Sequence, residues 1–195
     1  MLRLLTVIFI VSTLIGCFDS HSGEKREPKG LIENESVRPV VMIEGDVIFR
    51  RGTGLWSPMI SGSNQSKFSH IGVIVKKSGQ WFVAHADADD LTWTGGVHLT
   101  DLDEFLEESV IFRIKRNLMS AVQKHVFLQY IWKHVDLETK FDSDFMIDEA
   151  ADELYCTEYV WLAGLSAGVR LGEPVNIMGK PYITLDAIFN SHELL

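Results

Sequence analysis

Cys156 lies in the stretch YCTEYVW and is one of two cysteines in the 195-residue chain. A free cysteine is among the most often buried residue types, so on its own it indicates a core position. To act as a nucleophile, a cysteine needs a nearby base and a positive field that favours the thiolate. The unpaired N–H groups at the start of a helix provide such a field, and Cys156 is predicted to lie early in a helix. It is therefore a candidate nucleophile if a base lies near it.

A hairpin predicted over residues 68–88 carries the candidate bases. Two runs rich in β-branched and aromatic residues flank Ser78 and Gly79, a pair that suits a two-residue hairpin loop. In that register His70 and His85 share one face of the sheet, one diagonal step apart. Diagonal neighbours are about 7 Å apart at Cβ, which is within reach of two imidazole rings. The opposite face is apolar, as expected of a face that packs on a core.

Asp87 follows on the histidine face, so the sequence predicts a polar cluster of His70, His85 and Asp87. His70 is the candidate base for Cys156, and a third polar group orients the base in such triads. His85 and Asp87 are both candidates for that third role. The register alone leaves the choice between them open.

The same part of the chain permits less specific interpretations. His85, Asp87, Asp89 and His98 offer imidazole and carboxylate groups that suit zinc, but their spacing is not diagnostic of a metal site. We therefore predict neither a metal ion nor another cofactor. Asp46 lies in the stretch GDVIF, where it either supports the site or simply holds a turn.

The beginning of the chain indicates export. Arg3 precedes an apolar run over residues 4–15, which is too short to span a bilayer but is typical of a signal peptide. The run ends in LIGC, and a small residue before a cysteine at this place resembles the lipobox of bacterial lipoproteins. That resemblance implies cleavage before Cys17, acylation of Cys17, and anchoring on a membrane that the mature chain does not span. An uncleaved anchor helix is the alternative.

The predicted organisation follows from this resemblance. Residues 1–16 are a signal peptide, residues 17–38 a lipidated flexible tether, and residues 39–195 one folded domain. If Cys17 carries lipid, Cys156 has no partner for an intramolecular disulfide. The residue after Cys17 is not the aspartate that favours retention in the inner membrane, so the expected location is the outer membrane, facing the periplasm.

Charge and pattern limit the partners and the fold class. A formal net charge of −9 argues against nucleic acid or anionic lipid as a charge-driven partner. Short β-rich runs and a few amphipathic stretches predict an α+β fold, in which helices pack an antiparallel sheet. Besides the hairpin, the predicted elements are strands at 40–52 and 109–115, a loop at 92–98, and helices capped at Thr100 and over 118–135, 149–166 and 184–191.

Six short motifs occur in the order of a known family. They are GDVIF (45–49), FSHIGVIV (68–75), AHA (84–86), GGV (95–97), KFDSDF (140–145) and YCTEYVW (155–161). Strands with a histidine and a second polar residue precede the cysteine helix, which reverses the order found in papain. The chain therefore resembles the circularly permuted papain-like amidases of the YiiX and YaeF type, distant relatives of the NlpC-type cell-wall peptidases.

This resemblance implies a permuted papain-like fold with Cys156 as the nucleophile and His70 as the base. Relatives often carry glutamate where this chain has His85, but a histidine also accepts a hydrogen bond from an imidazole N–H. We favour His85 over Asp87 as the third member of the triad. The Cys156 backbone N–H is one candidate donor to the oxyanion, and the second is either the Tyr155 hydroxyl or a polar side chain near Gln65. The implied activity is hydrolysis of amide bonds in peptidoglycan peptides or other small peptides, through an acyl-enzyme.

Two other functions fit the same motifs. Permuted papain-like relatives similar to lecithin retinol acyltransferase transfer acyl groups through the same cysteine–histidine pair. A membrane-anchored lipid acyltransferase or thioesterase is therefore an alternative. A catalytically silent binding module of the cell envelope is another. The sequence indicates neither the acyl group that is attacked nor the oligomeric state.

Overall fold

A computed structural model describes residues 41–63, 66–147, 152–177 and 179–195. The predicted signal peptide, Cys17 and the tether over residues 17–38 lie outside the described residues. Among the helices of the described part, none is long and apolar enough to cross a membrane.

Strands position most of the candidate site. In chain order they are β1 (Val47–Gly52), β2 (His70–Lys77), β3 (Gln80–Ala88), β4 (Gly95–Asp101), β5 (Ser109–Lys115), β6 (Lys140–Phe141), β7 (Glu153–Leu154), β8 (Val175–Ile177) and β9 (Lys180–Tyr182). Within the described ranges the main sheet has the strand order β5-β1-β2-β3-β4-β6-β7, and β8 pairs separately with β9. Neighbouring strands of the main sheet are antiparallel except β6 and β7. The predicted α+β class with a mainly antiparallel sheet is confirmed.

Helices pack on both faces of this sheet. They are α1 (Ser57–Ser63), α2 (Leu102–Glu107), α3 (Ala121–Asp136), α4 (Cys156–Ser166) and α5 (Leu185–Phe189). The larger core includes Phe127 of α3 and Tyr159 of α4, both fully buried. On the other face, Phe105 of α2 covers Ile74 and Val83 in a smaller core. The cysteine helix is therefore part of the main core, as a nucleophile helix with a fixed position requires.

The β2–β3 hairpin has the predicted register. Lys77 pairs with Gln80, and Ser78 and Gly79 form the loop with φ angles of 51° and 87°. Positive φ at both loop positions gives the type I′ turn, whose twist matches that of the flanking strands. This turn fixes which side chains of β2 and β3 share a face, including the two histidines.

Gly72 lies between His70 and the apolar part of β2. A Cβ at this position would lie 2.4 Å from Cγ1 of Val83 and 3.2 Å from Cβ of His85. Any larger residue would therefore displace β3 or the His85 side chain. Glycine at this position allows the two strands to bring their histidines together.

The predicted loop at 92–98 is wrong, because β4 begins at Gly95. Both glycines of this strand approach neighbouring backbone closely. A Cβ on Gly95 would lie 2.1 Å from O of Asp87, and one on Gly96 would lie 2.4 Å from O of Thr139. Glycine is a poor strand former in general, so the two glycines favour the prediction of a loop. In the structure, β4 needs glycine at both positions because neighbouring backbone packs so closely against them.

Two helices begin later than predicted. Asp101 rather than Thr100 caps α2, because the Asp101 carboxylate accepts the N–H of Asp103 at 2.9 Å. The last long helix, α4, begins at Cys156 rather than at residue 149, since the strand β7 precedes it and pairs with β6. Both differences affect the site: the Thr100 side chain is available to another partner, and Cys156 comes first in its helix.

Candidate active site

Cys156 is the first residue of α4 and directly follows the N-cap residue Tyr155. The backbone N–H groups of Thr157, Ile71 and Cys156 lie close enough to its sulfur to stabilise the thiolate. Ile71 is the residue after His70 on β2. These contacts hold the sulfur against the start of the strand that carries the candidate base.

The Cys156 thiol is protonated at rest. Burial raises its pKa to about 12, and the negative charge of Asp87 adds to the rise. The surrounding backbone N–H groups lower the pKa of the thiol, but the effect of burial is larger. The positive field at the start of the helix is therefore not sufficient to form the thiolate, and a base has to remove the proton during attack.

Three side chains form a hydrogen-bonded row beside the thiol. Nε2 of His70 lies 2.8 Å from Nδ1 of His85, and Nε2 of His85 lies 2.8 Å from Oγ1 of Thr100. The two rings meet edge to face, with their centroids 4.9 Å apart. His85 thus leaves Nδ1 of His70 available, and His70 and Cys156 line the same cleft.

Both histidines of this row are neutral near neutral pH. Burial is the largest cause that holds the pKa of His70 well below its usual value of 6.5, and the Arg50 cation lowers it further. Burial also lowers the pKa of His85, assisted by His70 and opposed by Asp87. A neutral imidazole is the form that accepts a proton, so His70 has the protonation state of a base.

The free energy of unfolding should fall as the pH drops below 6.5. The folded-state pKa values of His70 and His85 lie below the ordinary value of 6.5, so the unfolded chain binds more protons in the window between them. Their contribution to stability is complete above that window and is lost progressively as the pH falls through it. Urea unfolding at a series of pH values measures this dependence. A His85→Gln variant should show a weaker dependence, and an unchanged slope in the variant would contradict the assignment.

Asp87 lies at the edge of the histidine row. Its Oδ2 is 3.9 Å from Nδ1 of His85 and 3.8 Å from Nη2 of Arg50. Arg50 is buried, donates to O of Phe105 at 2.9 Å and pairs with Glu108 at 3.1 Å. His85 is therefore the residue that is hydrogen-bonded to the candidate base, whereas Asp87 approaches His85 from further away.

A cleft of about 240 Å³ opens at Cys156 and His70. Its walls are mainly apolar and aromatic, formed by Trp56, Met59, Ile60, Trp93, Phe141, Phe145, Tyr155, Tyr182 and Leu185. Trp56 and Trp93 pack against each other with their ring centroids 5.3 Å apart. A polar cavity of about 310 Å³ adjoins the cleft at His70 and reaches Arg50. The candidate nucleophile and base thus lie where an apolar and a polar region meet.

The structure places the two remaining candidates in different surroundings. Tyr155 lines the cleft, its hydroxyl accepts the N–H of Ile183 at 3.1 Å, and its ring stacks on Tyr182. Asp46 is fully buried and pairs with Arg116 at 2.9 Å. It is not among the residues that line the cleft or the polar cavity. Asp46 therefore holds the start of β1 to the segment after β5, and the structure does not bring it to the histidines.

Thr100 and Arg50 belong to the site but were missed in the sequence. His85 pairs with His98 on β4, and Thr100 follows two positions later on the same face. A prediction of a strand over residues 95–101 would therefore have placed Thr100 on the face that carries His85. Arg50 and Arg51 follow the apolar residues of β1, and the sequence does not distinguish the buried arginine from its neighbour. The partners of Arg50 come from α2 and the residue after it, which the sequence does not place near β1.

Two comparisons with known proteins are informative. A family model described as permuted papain-like amidase enzyme, YaeF/YiiX, C92 family, matches residues 41–187, which include Cys156 and both histidines. The crystal structure of the metalloprotein yiiX from Escherichia coli O157:H7 superposes with a TM-score of 0.66 at 21% sequence identity, covering 78% of this chain and 94% of that chain. None of the curated proteins is a detectable match. At this identity the structural likeness shows the fold.

Proposed function

This chain belongs to the permuted papain-like amidase family, and from that premise we propose that it is a membrane-anchored cysteine hydrolase that cleaves amide bonds in small peptides of the cell envelope. The family consists of cysteine amidases and peptidases, so the chain is an enzyme of that type. One observation supports the proposed triad. Cys156 and His70 line one cleft, and Nδ1 of His85 lies 2.8 Å from Nε2 of His70, which leaves Nδ1 of His70 for the thiol.

His70 is the base of the proposed reaction. When its Nε2–H is donated to Nδ1 of His85, Nδ1 of His70 carries a lone pair that takes the thiol proton of Cys156. Oγ1 of Thr100 accepts the Nε2–H of His85, which leaves Nδ1 of His85 as the acceptor. His85 thereby orients the base through hydrogen bonds alone, without the negative charge that a carboxylate would supply.

The Cys156 thiolate attacks the amide carbonyl carbon, and a C–S bond forms as the carbonyl oxygen becomes an oxyanion. The backbone N–H of Cys156 and the Tyr155 hydroxyl are the proposed donors to this oxyanion. The imidazolium of His70 protonates the leaving amine as the C–N bond breaks. Water then hydrolyses the thioester, with His70 again as base, and the thiol is restored.

The walls of the cleft favour an apolar group next to the scissile bond. Apolar and aromatic side chains, among them Trp56, Trp93 and Phe145, line most of it. Peptides with an apolar side chain fit this environment, and peptidoglycan peptides or other small peptides are the proposed substrates. An acyl chain fits the same walls, which supports lipid acyl transfer or thioester hydrolysis as the second candidate.

Incubation with peptidoglycan-derived peptides and, separately, with phospholipid vesicles tests the substrate class. Mass spectrometry of the products should show cleavage of an amide bond in the peptides by the wild type and none by Cys156→Ala. Release or transfer of a fatty acyl group, dependent on Cys156, would instead establish the lipid reaction. If the wild type converts neither substrate and a thiol-reactive probe does not label Cys156 in the folded protein, the binding-module function replaces both proposed reactions.

Anchoring through lipid on Cys17 is the proposed location signal, with the tether over residues 17–38 holding the domain at the outer membrane. The mature N-terminal peptide should begin at an acylated Cys17 in mass spectra. Cys17→Ala protein should move from the membrane fraction to the soluble fraction. A chain from membranes that still begins at Met1 would contradict cleavage at this position.

Thr100→Val should lower kcat for amide hydrolysis about tenfold and change KM little. The substitution removes the hydrogen bond between Thr100 and His85, which is worth about 1.4 kcal/mol and helps to orient the base. Without the Oγ1 acceptor, His85 populates both tautomers, and only one of them accepts from His70. Steady-state kinetics measure the two constants. Thr100→Ser, which keeps the hydroxyl, is the matched control and should restore most of the rate; equal losses in the two variants would show that packing, not the hydrogen bond, is responsible.

A further inference from the structure

Three metal-binding atoms meet at the ring nitrogen of His70 that contacts His85. Nε2 of His70, Nδ1 of His85 and a carboxylate oxygen of Asp87 all lie within 4.8 Å of one another. Both imidazoles are buried, and the Asp87 side chain is partly exposed. Two imidazoles and a carboxylate form a donor set that suits zinc.

The separations of these atoms are close to those that zinc requires. Two ligands of a tetrahedral zinc ion are about 3.3 Å apart, given bonds of about 2.0–2.1 Å. The two nitrogens are 2.8 Å apart, and Nδ1 of His85 is 3.9 Å from Oδ2 of Asp87. The first separation is slightly short and the second slightly long, and side-chain shifts of about 0.5 Å correct both. The third separation, between Nε2 of His70 and the Asp87 carboxylate, is at most 4.8 Å.

The residues around the three atoms favour the same arrangement. Oγ1 of Thr100 holds Nε2 of His85 at 2.8 Å, and metal-bound histidines commonly have such a partner at their second nitrogen. Arg50 approaches Asp87 to 3.8 Å but pairs more closely with Glu108, at 3.1 Å. Since Glu108 compensates the Arg50 cation, the charge of Asp87 is available to an ion.

A hydrated ion can reach these atoms from solvent. His70 and Asp87 line both the apolar cleft and the polar cavity beside it. Further acidic side chains of that cavity are Asp89, Asp90 and Glu108, which raise the local concentration of cations. The cavity also leaves room for water as the fourth ligand.

We propose that Nε2 of His70, Nδ1 of His85 and a carboxylate oxygen of Asp87 bind one Zn²⁺ ion, and that the bound ion inhibits the enzyme. The metal uses Nε2 of His70, whereas the reaction uses Nδ1. When Nε2 binds the ion, its proton passes through solvent to Nδ1, so that the ring stays neutral but Nδ1 no longer accepts the thiol proton. Cys156 is not a ligand. The binding of Zn²⁺ does not depend on the proposed function, whereas the inhibition of amide hydrolysis rests on it.

Calorimetric titration with Zn²⁺ tests the site. Wild type and Cys156→Ala should bind one ion with affinities that agree within about twofold, because the thiol is not a ligand. His85→Gln and Asp87→Asn should each bind about 100-fold more weakly or worse, with circular dichroism confirming that both are folded. The control is His98→Gln: its ring packs 4.4 Å from that of His85, yet it supplies no ligand, and its affinity should be unchanged.

Cobalt reports which atoms bind the metal. Co²⁺ should give the visible d–d bands of a tetrahedral ion in both wild type and Cys156→Ala, with no thiolate-to-cobalt charge-transfer band. A charge-transfer band that is absent from Cys156→Ala would identify the thiol as a ligand and overturn the site. Unweakened binding by either the His85→Gln or the Asp87→Asn variant would overturn it as well.

The inhibition is measured separately from the binding. Saturating Zn²⁺ should abolish amide hydrolysis by the wild type, and a chelator should restore it. Full activity with the site occupied would overturn the inhibition. If the metal-free wild type hydrolyses nothing, the proposed function and with it the inhibition fail, while the titration and the cobalt spectra still decide whether the site exists.

Discussion

Cys156→Ala should lower kcat/KM for amide hydrolysis by a factor of about 10⁴ or more. The sulfur is the atom that forms the thioester, and Cys156 is the only cysteine among the described residues. Without the thioester the reaction depends on direct attack by water, so the two-step route through an acyl-enzyme is lost. Release of the amine product from a peptide substrate, followed by mass spectrometry, measures the rate.

Cys156→Ser is the matched variant, since it keeps an atom able to form an ester. We expect a loss of the same order, because a hydroxyl is a much weaker nucleophile than a thiolate. Both variants should unfold at nearly the same urea concentration as the wild type, because serine and alanine are no larger than cysteine and fit its place at the start of α4. Activity of Cys156→Ala within about tenfold of the wild type would contradict its role as nucleophile.

His70→Ala should cause a loss of about 10³-fold to 10⁴-fold in kcat/KM. The thiol has a raised pKa because it is buried, so it does not ionise without a base. Since His70 and Cys156 act as one unit, the double variant should be no slower than the slower single variant. Steady-state kinetics of the two single variants and the double variant measure this non-additivity. Additive losses would show that the two residues act independently.

The pH profile provides a further test of His70. Its pKa is lowered, so kcat/KM of the wild type should stay high as the pH falls to 6.5 and decrease only below it. His70→Ala should lose this acidic decrease along with its activity. His98→Gln is a second variant. It removes an exposed imidazole that packs on His85 and helps to lower the pKa of His70, so it should keep the wild-type rate at neutral pH and move the acidic decrease slightly toward higher pH.

Much of the fold could be predicted because its signals are local. The hairpin depends on Ser78 and Gly79, which need only adopt positive φ to fix the register of β2 and β3. The apolar face of β2 is likewise read from neighbouring residues. β4 could not be predicted, because Gly95 and Gly96 belong to a strand only through contacts with β3 and with residue 139.

In the candidate site, too, only the features with local signals could be predicted from the sequence. His70 and His85 were placed on one face by the hairpin register, and their side chains meet at 2.8 Å. Cys156 could be assigned to the site of these histidines only from the resemblance to a family, because no local signal in the sequence places α4 near β2. Thr100 and Arg50 lie on other strands, and their contacts with His85 and Asp87 depend on how distant segments pack. Residues that act through tertiary contacts leave little trace in a single sequence.

Acylation of Cys156 is the most direct test of the proposed mechanism, and it does not require the natural substrate to be known. The purified enzyme is mixed with p-nitrophenyl acetate, quenched in acid, digested and analysed by mass spectrometry. We expect one acetyl group on the peptide that contains Cys156 in the wild type, and none on that peptide in His70→Ala. An unmodified Cys156 in the wild type, or equal acetylation of Cys156 in both proteins, would contradict the assignment of a nucleophile activated by His70.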